Sequence, residues 1–238
     1  MEIPIIIYTF VTDIMKNIVT FINDLADNNN KAWFDANRSR WNDVKAEWAE
    51  FTERLIAGVS KIDPLGSGLR VQDCTYRINR DIRFSNDKRP YKSHIGAYVC
   101  PNGKKSGFAG YYFHIESHLC DYIGRNMIAA GAYMLPPKEL ESVREEIYDN
   151  PEAFLSALNK AEGFDLNDNA RLTKCPKGFP KDFKYADLLK YKSYSIGKDT
   201  PWDVLYSDGL YDWVMENFAN CVEINTLLNR AIAYAREN

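Results

Sequence analysis

The sequence predicts an α+β fold, a central and mainly antiparallel sheet arranged as a meander and flanked by N-terminal and C-terminal helices. Three observations carry that expectation. Apolar residues recur at helical spacing over the first part of the chain and again over the last; between them the period changes to alternation; and short turns join the alternating runs, with no repeated strand-helix-strand unit that would build a parallel sheet.

Ile18, Phe21, Ile22 and Leu25 recur at steps of three and four, and the Asn28-Asn29-Asn30 cluster then supplies turn and N-cap chemistry for a new helix. From Trp41 onward Val44, Trp48, Phe51, Leu55 and Val59 draw one apolar stripe down a long helix that Asp63-Pro64 closes. Such a stripe belongs to a core, although Trp33 and Phe34 could equally line a pocket. After Gly66-Ser67-Gly68 three runs read as strands: Tyr76 to Phe84, Tyr91 to Cys100 and Phe108 to His118, with Ala129 to Met134 a further one. Asn86-Asp87, Pro90 and Pro101-Asn102-Gly103 provide the turns. Pro136-Pro137 opens a helix carrying Leu140, Val143 and Ile147, and Asn150-Pro151-Glu152 opens another carrying Phe154, Leu155 and Leu158. A loop rich in Lys, Pro and Gly follows. Asp208 then caps one long final helix with Leu210, Val214, Phe218, Cys221, Ile224, Leu228 and Ala231 on its buried side.

With 238 residues, 45% hydrophobic and 26% charged, and no low-complexity linker, the chain reads as a single domain over residues 15–238. Residues 1–14 are an uncertain N-terminal extension: Met15 offers a second start. The apolar run Ile3 to Val11 is too short to span a bilayer and lacks the basic flank of a signal peptide. Five widely spaced cysteines without a C-x-x-C pair read as reduced thiols, so the expected location is cytoplasmic. A net charge of −3 argues against a generally basic nucleic-acid coat protein and leaves room only for a local patch.

That patch is Arg77 to Lys92. It holds six cations (Arg77, Arg80, Arg83, Lys88, Arg89, Lys92) against Asp81 and Asp87, so it is +4 while the rest of the chain is −7. If Tyr76 to Phe84 is a strand, Arg77, Asn79, Asp81 and Arg83 share one face, with neighbours roughly 7 Å apart. Asp81 would then clamp Arg77 and Arg83 and leave surplus positive charge for solvent, a further carboxylate or a bound phosphate. Arg80 falls among Ile78, Ile82 and Phe84 on the core face, where it needs a partner. The ligand-binding candidates are therefore Arg77, Asp81, Arg83, Lys88 and Tyr91, with Arg80, His114 and Glu116 in a second tier. Lys88 or Tyr91 could also act as a proton donor. The ordinary alternative is an ion-pair network that ties the sheet to its helices.

His114, Glu116 and His118 share a strand face, but a metal would require further ligands and suitable geometry, so no metal and no cofactor are assigned. Glu116 is expected to pair with an arginine of the first strand. No nucleophile elbow, Walker loop or Gly-x-Gly-x-x-Gly is present.

Arg77, Arg80, Asp81, Arg83, Phe84, Lys88 and Tyr91 fit the pattern R-x-x-R-D-x-R-F-x-x-x-K-x-x-Y, and on these residues the chain resembles the domain of unknown function 2461 family. The likeness extends through Phe21, Asn28-Asn29, Trp33-Phe34, Tyr112-Phe113-His114-Ile115-Glu116 and Cys175-Pro176-Lys177-Gly178-Phe179, most of the chain after Met15. Ser117-His118 departs from it, and residues 1–14 have no counterpart. The resemblance implies a bacterial family without an established activity and carries over no catalytic residue. The leading expectation is binding of a small anionic or phosphorylated ligand at the Arg-rich strand, with or without turnover. Second comes a structural or protein-interaction module, with nothing to identify the partner. Third is single-stranded nucleic acid, supported only by Tyr91, Tyr98, Tyr111 and Tyr112 among cations.

Overall fold

The computed structural model describes residues 6–120 and 122–238; positions 1–5 of the expected N-terminal extension lie outside the described residues. Helix α1 (Ile6–Asp27) runs unbroken through Met15 and buries Ile14, Met15, Ile18, Val19, Phe21, Ile22 and Leu25. It ends at the asparagine cluster. There the Trp33 N–H donates to Asn30 Oδ1 at 3.0 Å, which satisfies one orphan donor of the short helix α2 (Lys31–Ala36). Helix α3 (Arg38–Ile62) buries its predicted stripe and stops at Asp63, before Pro64 can break the ladder. Phe34 is buried beside Phe21 and Trp41, and Trp33 packs on Phe21 at 5.9 Å, so these rings are core.

After the short helix α4 (Val71–Cys74) come β1 (His94–Val99), β2 (Gly110–Glu116) and β3 (Met127–Ala132), the expected antiparallel meander. Helices α5 (Pro137–Asp149) and α6 (Pro151–Lys160) follow at the two proline signals. The chain then returns through β4 (Asp165–Leu166) to β5 (Tyr194–Asp199), giving the strand order β1-β2-β3-β5-β4 with every pair antiparallel. Sequence reading left β4 and β5 in a loop, because Lys198 and Gly197 interrupt the apolar alternation. A short α7 (Trp202–Leu205) precedes the C-terminal helices.

The single final helix expected after Asp208 is two helices, α8 (Leu210–Ala219) and α9 (Val222–Glu237), with Gly209 at the first N-cap position. One apolar stripe runs through both. The turn at Asn220-Cys221 lets α8 pack on α3 while α9 swings onto β3 and α5. Helix α9 also carries two buried amides. Asn225 Oδ1 accepts the Gly131 N–H at 2.8 Å and its Nδ2 donates to the Gly110 carbonyl at 3.2 Å; Asn229 holds both the N–H and the carbonyl of Ala109. Backbone groups buried at this sheet corner thereby keep their partners.

Strand alternation gives the sheet two unlike faces. The inner face carries Ile95, Ala97, Val99, Tyr111, Phe113, Ile115, Ile128, Ala130, Tyr194 and Ile196, all buried. Helix rings meet it there: Trp48 and Phe51 lie 6.0 and 5.3 Å from Phe113, and Phe218 lies 5.2 Å from Tyr111. The register sets His94, Gly96 and Tyr98 of β1 beside Glu116, His114 and Tyr112 of β2 on the outer face. His94, Tyr98, Tyr112, Ala129, Ser195 and Gly197 of that face are all partly exposed.

Asn225→Ala would leave the Gly131 N–H and the Gly110 carbonyl buried without partners, so a loss of about 2–5 kcal/mol is expected in urea denaturation. A loss below about 0.5 kcal/mol, the range of a neutral surface change, would contradict the bridging role.

Candidate functional site

Tyr76 to Phe84 is not the strand that alternation predicts, and the whole Arg77 to Tyr91 segment lies outside the five strands of the sheet. Isolated bridges take the place of a ladder: Thr75, just before it, pairs with Ala97 of β1, and Asn79 pairs with Tyr91 within the segment. The Arg80 N–H donates to the Pro90 carbonyl and the Lys92 N–H to the Ile78 carbonyl, and beyond Arg80 the chain leaves the sheet edge in a closed excursion. Two local aspartate turns cause this. Asp81 Oδ1 accepts both the backbone N–H and Nε of Arg83, and Asp87 Oδ1 accepts the same two groups of Arg89, so each carboxylate bends the chain on itself instead of leaving it free to pair.

These contacts consume most of the positive charge. Asp81 grips Arg83 with both oxygens, at 2.9 and 2.7 Å, out in solvent. Asp87 takes Arg89 at 2.7 Å and Arg80 at 2.5 Å. Arg89, then Arg80, hold the Asp87 carboxyl well below the usual carboxylate range. Arg80, expected on the core face, is only half-buried and also donates to the Arg89 carbonyl. Lys88 Nζ closes the loop on the Ile82 carbonyl at 3.1 Å, and Phe84, at the tip, is 95% exposed. Tyr91 is buried, stacked on Phe34 at 4.0 Å and fastened at both backbone groups by the Asn29 side chain.

Arg77 and Lys92 are left. Among the described residues neither has a hydrogen bond or ion pair from its side chain, and each lies close enough to feel the other: burial, then the Arg77 charge, pushes the Lys92 ammonium below its ordinary pKa. Arg77 is also near enough to Asp81 to help lower that carboxyl's pKa, after the larger effect of Arg83. Lys92 Nζ lies 5.5 Å from the centre of the Tyr76 ring and Lys104 Nζ 5.7 Å from it. Two lysines thus flank one half-exposed tyrosine, and Arg77 lies within the field of one of them.

On that face His114 is fully buried. Its Nε2 lies 2.9 Å from Glu116 Oε1 and its Nδ1 lies 2.8 Å from the Tyr112 hydroxyl. Glu116 also accepts the N–H groups of Ile123 and Gly124, at 2.6 and 2.7 Å. Burial alone would raise the Glu116 pKa; the bonds from His114 and the two amides outweigh it and hold the group below its ordinary value. An ionised Glu116 can only accept, so His114 donates to it from Nε2; in the neutral imidazole Nδ1 is then an acceptor, and the Tyr112 hydroxyl donates to it. The order phenol, imidazole, carboxylate is that of a proton relay. Gly96 makes room for it, because a Cβ there would sit 2.5 Å from the Tyr112 hydroxyl.

Glu116 therefore meets a histidine and a loop backbone, not the arginine expected of it. His118 turns away to Asn23 and Asp27, and among the described residues no group of three His, Cys, Asp or Glu side chains is placed to hold a metal. Sequence reading missed His94, whose ring lies 5.2 Å from His114, is stacked under Tyr122 at 4.5 Å and has Cys120 Sγ 3.7 Å from Nδ1. Burial, then His114, pushes the His94 pKa down to about 4. The available signal was parity: once β1 and β2 pair, His94 falls opposite Glu116.

Fold and site together define an α+β protein whose helix-backed antiparallel sheet carries an ionisable cluster on its outer face. The chain belongs to the conserved hypothetical protein family DUF2461, whose family pattern matches residues 17–226 and so takes in the whole sheet and the Arg77 to Tyr91 segment. No curated protein and no solved structure matches the chain. Among the described residues no helix is long and apolar enough to cross a membrane.

Two pH effects follow. His94 has a lower pKa folded, about 4, than unfolded, about 6.5, so its contribution is intact above about 6.5 and is lost as the pH falls toward 4. His94→Gln should remove that part of the stability profile, and an NMR titration placing His94 near 6.5 in the folded protein would refute it. Asp87, also depressed, contributes in full above about pH 4, where an unfolded aspartate is ionised, and loses that contribution progressively as the pH falls below it. Asp87→Asn should lower the denaturation midpoint at neutral pH and flatten the loss at acid pH; an unchanged acid limb would show that Asp87 does not carry it.

Proposed function

We propose that the chain binds a small anionic, phosphate-bearing ligand at Arg77, Lys92 and Lys104 beside Tyr76, with the neighbouring outer face as the rest of the site. One observation carries this reading: Arg77 and the half-buried Lys92 stand within each other's field with no carboxylate bonded to either. Two like charges held together raise the free energy of the empty protein, and an anion between them recovers it. Arg77 keeps the part expected of it. Arg83 and Lys88 are engaged within the loop, and Asp81 and Asp87 fix that loop's shape, which leaves the ligand role to Arg77 and Lys92, with Lys104, whose Nζ also donates to the Gln72 carbonyl, beside them. The Tyr112–His114–Glu116 relay, on the same face, supports turnover as a second step, since it could accept a proton from a bound hydroxyl or water.

The Arg80–Asp87–Arg89 and Asp81–Arg83 pairs favour a second reading, in which the segment is mainly a strut and the protein an interaction module. Melting curves separate the two. Inorganic phosphate or phosphorylated metabolites in excess should raise Tm in the native chain, by the equivalent of about 2.7 kcal/mol at a hundredfold excess over Kd. The double variant Arg77→Gln/Lys92→Gln should fold normally and show no such rise. Equal rises in both proteins, or none across the panel, would sink the ligand reading.

A further inference from the structure

The anion reading leaves one prominent feature of the outer face without a role. Tyr122 comes from the loop between β2 and β3 and is 63% exposed. One side of its ring is stacked on His94, at 4.5 Å and with an interplanar angle of 13°. The ring is not loose. His94 is held by Cys120 on one side and meets His114 on the other, and the loop itself is tied down where Glu116 accepts the N–H groups of Ile123 and Gly124. A tyrosine fixed in this way presents its second ring face to solvent having already lost most of its rotamer freedom, so a flat partner would stack on it at little further entropic cost.

The chain also sets it near the cations: Lys92 precedes His94, on which Tyr122 is stacked, by two residues. Lys92 and Lys104 both lie under 6 Å from the Tyr76 ring, and Tyr122 is near enough to help raise the Tyr76 pKa, after the larger effect of burial. Lys92 is also close enough to His94, on which Tyr122 rests, to disfavour its protonation. A phosphate site and an aromatic platform thus adjoin through Lys92 and His94.

Resting on the anion reading of this site, we infer that its ligand is a nucleoside monophosphate, with the phosphate between Arg77, Lys92 and Lys104 and the base stacked on the open face of Tyr122. A patch of three cations beside one stacked ring suits one nucleotide better than a strand, which would need a basic track along its whole backbone.

Calorimetric titration with ribose 5-phosphate, AMP and oligothymidylate tests it. AMP should bind about 5- to 150-fold more tightly than ribose 5-phosphate, the factor that base stacking on an aromatic ring supplies. Tyr122→Ala should abolish that ratio while leaving ribose 5-phosphate binding unchanged, and Tyr122→Phe should restore it. Equal affinities, or a ratio that survives Tyr122→Ala, would overturn the stacking and leave the anion site standing. Failure of ribose 5-phosphate and AMP alike would remove the anion site itself and the inference with it. Oligothymidylate binding more tightly than AMP, with a steep salt dependence, would overturn it in favour of a strand.

Discussion

Strand β2 separates structure from chemistry, and much of the protein depends on that separation. Tyr111, Phe113 and Ile115 point one way, into rings from α3 and α8; Tyr112, His114 and Glu116, their immediate neighbours, point the other. Seven residues therefore serve as core and as site at once, with no residue exchanged between the two duties. The packing of Phe113 against Trp48 and Phe51 fixes how far β2 can slide or rotate, and in doing so fixes the relay on the other side. A one-residue slip would send the ionisable row into the helices and the aromatics into solvent.

That arrangement also decides what could be read in the sequence. The helices were legible because their signals are local: the apolar stripe of α3, the Asn30 cap and the Asp63-Pro64 stop each act within a turn or two. The meander was legible because β1, β2 and β3 alternate and their turns are short. Strand β5 was not, since its place beside β3 depends on a partner more than sixty residues earlier and its own alternation is broken by Gly197 and Lys198. The split between α8 and α9 was hidden for the opposite reason. The apolar stripe runs through the turn unchanged, and only the different partners of the two halves reveal it.

The site was half legible. Charge counting drew the candidate site to Arg77 to Lys92, but alternation was the wrong rule for Tyr76 to Phe84. Asp81 and Asp87 each bond a backbone N–H two residues on, and such local closure competes with the ladder that a strand would need. Arg80, Arg83 and Arg89 are consequently spent inside the loop. His94 and Tyr122 could not be found without the β1–β2 register and the fold-back of the loop, neither of which has a local signal.

Glu116 brings together two things that are otherwise separate. Its carboxylate sets the tautomer of His114 and, through the amides of Ile123 and Gly124, anchors the loop that carries Tyr122. Binding equilibria that share a group are reciprocally linked. Whatever steadies that loop must therefore strengthen the hold on a deprotonated Glu116, and whatever protonates Glu116 must loosen the loop. The order of the loop and the proton inventory beneath it are coupled, so anything that steadied Tyr122 would be felt at Glu116 as a change in proton affinity without touching it.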